Sequence, residues 1–408
     1  MNKNLIDKIY EFTKYLKEYE SDKNYYEQQL LPAIFEDYKI SGLPLDAKTL
    51  FYEIRQKTTA QEWADIINIV LKIKYHYDDI QNSCKINKFK NFISFLQKYF
   101  QFQGFFHTTT FDNFIKIMEC ETLYSRYSLS SKSISYKDIS LNEVINQTKK
   151  DIIKFVRFYY REKTPTNYDN EGIKPKKVLN SGSNLQAHSP LPVILIFNPN
   201  IIYDNPKVRF ADGNAAKQKT TLYRSFTDLV NMDWESVFHK NIIMEYEDRS
   251  TITNKRNSEI LYYDSISTRN IEKIIFRSNA DYKRAKLLLG DDKRYVVNPE
   301  YFFNLWLLIN DYDYKKSRNN ITLQIEYLLG EYMSNYSLQD FSHKIEYYKA
   351  NQKIKEYYIN DSLIGNCVEK FQGYPKIVTE EIIIPLIGCD YILYTVDDIE
   401  CIRIINDD

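Results

Sequence analysis

The sequence predicts an α+β protein in which a β-rich middle is flanked by a helical N-terminal region and a mixed C-terminal region. Residues 1 to about 100 carry long charged stretches with apolar residues at helical spacing. From Phe105 to about Leu289, short β-branched and aromatic runs alternate with loops rich in Asn, Ser, Gly and Lys. Helix-like segments then return before an acidic end. We therefore expect domains at residues 1–100, 101–290 and 291–408.

The clearest element of the first region is an amphipathic helix in "TAQEWADIINIVLKIK". Thr59 and Glu62 form a capping-box pattern at its start. The apolar residues that follow recur at helical spacing and are Trp63, Ile66, Ile67, Val70 and Leu71. This spacing predicts a helix face packed on a core.

The middle region contains three short apolar runs, "LPVILIF", "EILYYDS" and "EKIIFRS", which predict strands. Between the blocks lies a 31-residue connection, "YREKTPTNYDNEGIKPKKVLNSGSNLQAHSP", with little apolar content. A connection of this length inside a domain is typically functional or disordered.

The last region begins with three segments that we expect to be helical. These are "EYFFNLWLLINDY", "ITLQIEYLLGEYMSNY" and, behind a Ser337-x-x-Asp340 cap, "FSHKIEYYKANQKIKEYY". The chain closes with an acidic β-like stretch from about Glu380 onward.

Charge is balanced over the whole chain but segregated along it. Lys plus Arg and Asp plus Glu are 55 each, so any nucleic-acid site must be local. Basic residues outnumber acidic ones by eleven to six over 132–177 and by five to one over 207–224. Over 379–408 acidic residues outnumber basic ones by eight to one. Uneven solvated faces explain this segregation equally well.

Several classes of protein are excluded by what the sequence lacks. The five Cys are widely spaced without a C-x-x-C pair, so neither a disulfide framework nor a zinc site is indicated, and we expect no metal. No stretch has the length of a signal-peptide core or a membrane span, so we expect a soluble, cytoplasmic protein without membrane contact. The chain also lacks a glycine-rich phosphate loop, a G-x-S-x-G motif and an H-E-x-x-H motif.

Five blocks in the middle region nevertheless form an ordered set. The first, "FFHTTTFDNFIKIMECETLYSR", is followed by "FVRFYYREKTPTNY", "LPVILIF", "FADGNAAKQKTTLYRSFTDLVNMDW" and "RNSEILYYDSISTRNIEKIIF". In this order they resemble the DarT-like ADP-ribosyltransferase toxins, which modify bases of nucleic acid. The similarity runs from about Phe105 to about Ile275. The matching positions are His107, Thr109, Asn113 and Leu123 to Arg126; Phe158, Tyr159, Tyr160 and Pro165; Asp212 to Ala215 with Asp233 and Trp234; and Arg256 with Glu259.

The resemblance implies an ADP-ribosyltransferase-type split β-sheet core that clasps NAD⁺ as co-substrate. Glu259 is then the catalytic carboxylate that stabilises the oxocarbenium-like ribose, although from its own strand alone a solvated charge is the simpler interpretation. An arginine is expected to touch the pyrophosphate or the target, and Arg126 is preferred to Arg157.

The remaining cofactor-binding residues follow from the same resemblance. His107 with Thr109 would hold ribose, Tyr159 would stack on nicotinamide, and Asn113 and Arg157 complete the set. Strand alternation sends only one of Tyr159 and Tyr160 into the cleft, and the sequence leaves open which one.

Contacts to nucleic acid are expected from Asn214, Lys217, Lys219, Arg224 and Lys163. Two positions depart from the family pattern. Lys163 and Thr164 stand where an Arg precedes Pro, and Asn214 stands in place of His.

These observations predict transfer of ADP-ribose from NAD⁺ to a base of single-stranded DNA, in a bacterial toxin or anti-phage effector that has an antitoxin protein as a partner. RNA is the nearest alternative acceptor and protein the third. A catalytically inactive nucleic-acid-binding module is an alternative of another class. A further hypothesis gives the flanking regions a sensing or autoinhibitory role, with the acidic end covering a basic cleft.

Overall fold

The computed structural model describes residues 85–137, 151–181, 188–203, 207–217, 220–240, 242–243, 248–359, 364–369 and 375–406. The predicted helix over residues 59–71 lies outside this range. The described residues divide into two compact units. The first unit takes residues from 85–105, 151–161 and 199–263, and the second takes residues from 106–137, 162–198 and 264–406.

Helices and strands alternate over the first two thirds of the described chain, and strands dominate the last third. The strands are β1 Phe105–Thr110, β2 Thr122–Tyr124, β3 Phe155–Tyr159, β4 Pro192–Phe197, β5 Val208–Ala211, β6 Leu222–Tyr223, β7 Glu259–Tyr263, β8 Ser265–Ser267, β9 Ile271–Phe276, β10 Tyr295–Val297, β11 Leu307–Lys316, β12 Asn320–Leu329, β13 His343–Lys349, β14 Gln352–Tyr358, β15 Ile364–Glu369, β16 Lys376–Pro385, β17 Tyr391–Val396 and β18 Ile399–Ile405. The α-helices are α1 Lys85–Phe100, α2 Phe111–Glu119, α3 Arg126–Ser131, α4 Pro165–Asn170, α5 Lys176–Leu179, α6 Phe226–Val230, α7 Trp234–Val237, α8 Arg249–Lys255 and α9 Asn279–Leu289.

The first unit is built on antiparallel strands in the order β3-β7-β5-β6. Helix α1 packs against the short helices α6 and α7 through aromatic side chains. The Phe89 ring lies 4.7 Å from that of Phe226, and the Phe92 ring lies 5.2 Å from that of Trp234. These buried rings give the unit a core although its sheet is small.

The second unit contains strands in the order β10-β9-β4-β1. All six residues of β4 are buried, as the uninterrupted apolar run "PVILIF" requires, and β4 pairs antiparallel with β9. The predicted strands in "LPVILIF", "EILYYDS" and "EKIIFRS" are thus confirmed as β4, β7 and β9. The predicted α+β class is also confirmed; of the eight strands in these two orders, β3, β5, β6 and β7 belong to the first unit and β1, β4, β9 and β10 to the second.

The helical prediction for the C-terminal region is wrong. The three segments form strands β11 to β14, and these join two four-stranded sheets in the orders β11-β12-β16-β15 and β14-β13-β17-β18. The apolar residues of β12 in fact recur with period two, and the buried ones are Ile321, Leu323, Ile325, Tyr327 and Leu329. That period is typical of a strand with one buried face.

Turn chemistry explains the rest of this difference. Ala350 and Asn351 both have positive φ, 48° and 61°, and join β13 to β14 as a two-residue hairpin. The predicted cap at Ser337 and Asp340 is present as a reciprocal capping box, but it opens a 3₁₀ helix of only three residues, Leu338–Asp340.

The acidic C-terminal stretch forms strands, as expected. Tyr394 of β17 bonds through its hydroxyl to the Tyr327 hydroxyl of β12 at 2.8 Å, which ties the two C-terminal sheets together. No helix among the described residues is long and apolar enough to cross a membrane. The boundaries of the three predicted domains stay a prediction.

The stability of the second unit should depend on pH through His188, whose Nε2 lies 3.0 Å from the carbonyl oxygen of Gly172. Burial, together with the charges of Lys174 and Lys137, lowers the pKa of His188 from 6.5 to about 4. The unfolded chain therefore binds a proton near pH 6.5 that the folded chain accepts only near pH 4. As the pH decreases from about 6.5 to about 4, the free energy of unfolding should decrease by on the order of 2–3 kcal/mol.

Urea unfolding of the intact chain at pH 7, 6 and 5 measures this effect. His188→Gln keeps an N–H donor for the Gly172 carbonyl but does not titrate. The free energy of unfolding of this variant should therefore decrease less than that of the wild type when the pH is lowered from 7 to 5. Equal pH profiles for the two proteins would contradict the assignment.

Candidate active site

Glu259 begins the central strand of the first unit and is 0% exposed. Helix α8 ends just before it, and the buried Asn257 and Ser258 lead directly into β7. Strand register places Tyr159 of β3 on one side of Glu259 and Ala211 of β5 on the other. The carboxylate is therefore enclosed by its own sheet and is not a solvated edge charge.

Arg157 supplies the counter-charge that a buried carboxylate needs. Its Nε donates to Glu259 Oε2 at 2.6 Å and its Nη2 donates to Oε1 at 2.5 Å, which is a two-pronged arginine–carboxylate pair. Arg157 lies opposite Leu261 in β7, so it reaches Glu259 diagonally across the same face of the sheet.

Asn214 is the third member of this cluster. Its Oδ1 accepts hydrogen bonds from Arg157 Nη2 at 3.1 Å and from the backbone N–H of Ala216 at 2.9 Å. The Thr220 hydroxyl donates to the Asn214 carbonyl oxygen at 2.6 Å, which closes the loop on itself. The loop thus fixes Asn214, and Asn214 orients the guanidinium that holds Glu259.

The block "FADGNAA" is also tied to helix α8, just upstream of Glu259. Lys255 pairs with Asp212 at 3.1 Å, and the Tyr223 hydroxyl donates to the same carboxylate at 3.3 Å. At Gly213 a Cβ atom would lie 2.2 Å from the Nδ2 atom of Asn254, so any larger residue here would displace the Asn254 side chain of α8. These contacts couple the Asp-Gly-Asn-Ala block to the start of β7.

The structure answers which tyrosine of "FYY" shares the face of Glu259. Tyr159 lies opposite Glu259 on that face and is partly exposed. Tyr160 points the other way, where its ring packs at 5.7 Å from Phe105 and 4.9 Å from Trp234. Burial raises the pKa of Tyr160 well above its usual range.

The other predicted cofactor residues lie in the second unit. His107 and Thr109 are in β1, and Thr109 is buried. The Asn113 side chain bonds twice to the backbone of Lys137, with Nδ2 donating to the carbonyl oxygen at 2.8 Å and Oδ1 accepting from the N–H at 2.9 Å. Arg126 opens helix α3 behind its cap Ser125. The roles assigned to these residues stay predictions.

The predicted nucleic-acid residues are spread over both units. Lys217 and Arg224 are exposed in the first unit, and Lys219 lies outside the described residues. Lys163, in the second unit, places its Nζ 5.7 Å from the centre of the Phe303 ring.

Sequence reasoning missed Arg209, which is half-buried in β5 opposite Leu261 and hence on the face of Glu259. Phe210 of β5 pairs with Tyr223 of β6, so Arg209, just before Phe210, and Arg224, just after Tyr223, lie on the same side of this pair. Burial and the neighbouring Arg224 charge lower the pKa of Arg209. The signal in the sequence is the short run "VRFA", in which Arg209 stands between the apolar residues Val208 and Phe210, as an outward-facing residue of a strand does.

Replacing Arg157 by Ala should lower the free energy of unfolding by about 3–5 kcal/mol, because it leaves the buried Glu259 carboxylate without its cation. Adding Glu259→Gln should restore part of this loss, since the neutral amide carries no buried charge. Lys154→Ala removes an exposed ion pair with Asp151 and should cost less than about 1 kcal/mol. Urea unfolding followed by circular dichroism compares the three. An Arg157→Ala loss no larger than that of Lys154→Ala would contradict the buried pair.

Solved structures of two DarT proteins are among those similar to this chain. They are Thermus sp. 2.9 DarT in complex with NAD⁺, at 15% identity and a TM-score of 0.38; the same protein in complex with ADP-ribosylated ssDNA, at 14% and 0.40; and Thermosipho africanus DarTG in complex with ADP-ribose, at 18% and 0.39. The matches cover 49%, 49% and 53% of this chain and 96%, 95% and 54% of the respective structures. No curated protein sequence matches the chain.

A family model described as "ssDNA thymidine ADP-ribosyltransferase, DarT" matches residues 106–303. This segment contains Glu259, Arg157 and Asn214, and it covers the five blocks on which the resemblance rests except the first residue, Phe105. The family predicted from the sequence, and the ADP-ribosyltransferase class that goes with it, agree with this description. Residues 106–303 of this chain thus match the DarT family of ssDNA thymidine ADP-ribosyltransferases.

Proposed function

We propose that this chain transfers ADP-ribose from NAD⁺ to a base of single-stranded DNA, with Glu259 as the catalytic carboxylate. The observation that carries the proposal is the buried Glu259–Arg157 pair inside the segment that matches the DarT family. The family description names thymidine, and thymine is accordingly the proposed acceptor base.

The reaction breaks the bond between ribose C1′ and the nicotinamide nitrogen. The bonding electron pair leaves with the nicotinamide ring, which becomes neutral, and positive charge develops on the ribose. A fixed carboxylate beside the sugar stabilises that charge in a site from which water is excluded. Glu259 has this character, because its burial and its two bonds to Arg157 hold it in one orientation.

The carboxylate keeps capacity for substrate. Each carboxylate oxygen has two lone-pair sites, and Arg157 occupies one on each. A ribose hydroxyl can donate to a remaining site. The acceptor nitrogen then attacks C1′, the new N–C bond forms, and Glu259 takes the proton that the nitrogen loses.

Single-stranded DNA is favoured by the chemistry of the acceptor. The thymine ring nitrogen that bears a hydrogen is engaged in base pairing in a duplex, so an enzyme reaches it in an unpaired strand. Tyr159 shares the face of Glu259 and offers an aromatic surface for stacking.

The basic residues of the first unit support a polyanionic substrate. Arg209 lies on the face of Glu259, and ideal strand spacing puts its Cα atom about 8 Å from that of Glu259. Arg224 follows directly after β6, and the pKa of Arg209 is lowered by burial and by the charge of Arg224. Two positive charges this close repel each other and lower the stability of the fold, and a bound anionic ligand would offset that repulsion. The exposed Lys217 adds a third positive charge in the same unit. Such contacts grip the backbone without reading its sequence.

Replacing Glu259 by Gln should reduce transfer by about 10²–10⁴-fold, because the amide neither stabilises the ribose charge nor accepts the proton. The assay incubates labelled NAD⁺ with a thymine-containing single strand, the same strand annealed to its complement, a strand without thymine, a matching RNA and a protein pool. Label should appear on the first substrate only. Glu331→Gln changes an exposed glutamate and is the matched control.

The other outcomes separate the alternatives. Label confined to RNA would favour an RNA-directed enzyme, and label confined to protein would end the nucleic-acid proposal. Absence of label in every arm would favour an inactive binding module.

We further propose that the chain acts in a bacterium as a toxin or anti-phage effector that is restrained by an antitoxin protein. The same two proteins test this role on expression in a bacterial host. The wild-type chain should impair growth and the Glu259→Gln variant should not. Equal growth, with transfer shown in vitro, would contradict the toxic role alone.

A further inference from the structure

The 31-residue connection between the family blocks has contacts on both of its sides, and the proposed reaction uses none of them. Its described part includes helix α4, which begins at Pro165 behind the fully buried cap Thr164. One side of this segment touches β1, and the other touches residues at and beyond the end of the DarT match at 303. All of these residues belong to the second unit.

On the first side, Asn167 holds β1. Its Nδ2 donates to the Thr108 hydroxyl at 3.0 Å and to the carbonyl oxygen of Glu162 at 3.2 Å, and its side chain is buried. Thr108 stands between His107 and Thr109 in β1, so alternation directs it to the opposite face of the strand. Asn167 therefore grips the predicted NAD⁺-binding strand from behind and does not itself face the ligand.

On the second side, Glu171 binds the chain where the family match ends, at residues 303 and 304. Its buried carboxylate accepts the backbone N–H of Phe303 at 3.0 Å and of Asn304 at 2.8 Å. Burial raises the pKa of Glu171. The charge of Arg277 and the two backbone hydrogen bonds partly offset that increase. The N–H of Ile173 donates to the carbonyl oxygen of Leu307, the first residue of β11, at 3.2 Å.

Packing reinforces this attachment. Gly172 has φ of +96°, and a Cβ there would lie 2.8 Å from the Cβ of Trp306, so the chain passes directly over the tryptophan. The Tyr168 ring stands edge-on to Phe303 at 5.1 Å, and its hydroxyl bonds to that of Tyr332.

A parallel contact reaches β1 directly. The Phe106 ring, two residues before Thr108 on the same face, lies 6.2 Å from the ring of Tyr301. The back of β1 is thus contacted twice, by Tyr301 and by Asn167. The helix that carries Asn167 is followed by Glu171, which binds the chain leading into β11, and by Ile173, which binds the first residue of β11.

We propose that Asn167 is a positioning residue for the NAD⁺-binding strand β1 and that the start of the C-terminal β-region, with the chain leading into it, acts as a brace for β1 through Glu171 and Ile173; the inference rests on the proposed function. A long connection without its own core loses conformational freedom only when such contacts order it. If the unbraced strand is competent to bind NAD⁺ for only about a tenth of the time, the apparent affinity falls by about tenfold. The chemical step is unaffected once NAD⁺ is bound, because Asn167 touches neither substrate nor Glu259.

The test measures NAD⁺ binding by calorimetry and steady-state transfer to single-stranded DNA in the intact chain. Asn167→Ala should raise the Kd and the KM for NAD⁺ by about tenfold while kcat stays within about twofold. Thr108→Val removes the acceptor and should behave in the same way, whereas Thr108→Ser keeps the hydroxyl and should resemble the wild type. Glu171→Gln cannot accept both N–H groups and should raise KM without abolishing folding.

The double variant Asn167→Ala with Thr108→Val should be no worse than either single variant, because the same bond is lost. Asn319→Ala and Glu331→Gln change exposed residues of the same unit and should leave both constants unchanged. An unchanged Kd in Asn167→Ala, additive effects in the double variant, or a fall in kcat alone would each overturn the proposal. A wild-type chain that fails to bind NAD⁺ would overturn the proposed function itself, so the two failures are distinguishable.

Discussion

The pairing of Glu259 with Arg157 is the interaction on which the rest of the site depends. A carboxylate with no exposed surface is tolerated only if its charge is neutralised and its oxygens are bonded. Glu259 is buried because β7 lies between β3 and β5, and the positive charge of Arg157 on β3 offsets the unfavourable free energy of burying the carboxylate. The loop around Asn214 then fixes the guanidinium, so three separate blocks of sequence hold one acidic group in place.

The C-terminal strands change how the chain is understood beyond its family segment. They follow the DarT match at residue 303, yet the first residue of β11, Leu307, and the chain that leads into it at Asn304 bind the connection that supports β1. Helix α9 adds a second attachment, where Arg284 pairs with Glu400 of β18 at 3.0 Å and lies 4.2 Å from the Phe111 ring at the start of α2. The region therefore contributes to the second unit of the domain and is more than an appended tail.

Strands within the family segment could be predicted because buried strands leave a local signal. "LPVILIF" is apolar at every position, which fits β4, and the carboxylate at the head of "EILYY" was recognisable as out of place. A local signal could not show which arginine, Arg126 or Arg157, lies beside Glu259, because that contact depends on the register of the strands. Arg157 and Glu259 are 102 residues apart and meet only through the diagonal geometry of β3 and β7. The helices predicted over β13 and β14 were wrong because these tyrosine- and lysine-rich strands mix polar residues into both faces, which hides a period of two. In β12 the period of two is present in the buried residues.

A crystal structure of the intact chain with a hydrolysis-resistant NAD⁺ analogue tests the central claim most directly. The account predicts a Glu259 carboxylate oxygen within about 3 Å of a hydroxyl of the nicotinamide ribose, with Arg157 still bonded to the same carboxylate. An analogue bound with its ribose away from Glu259, while the Arg157 pair stays closed and inaccessible, would contradict it.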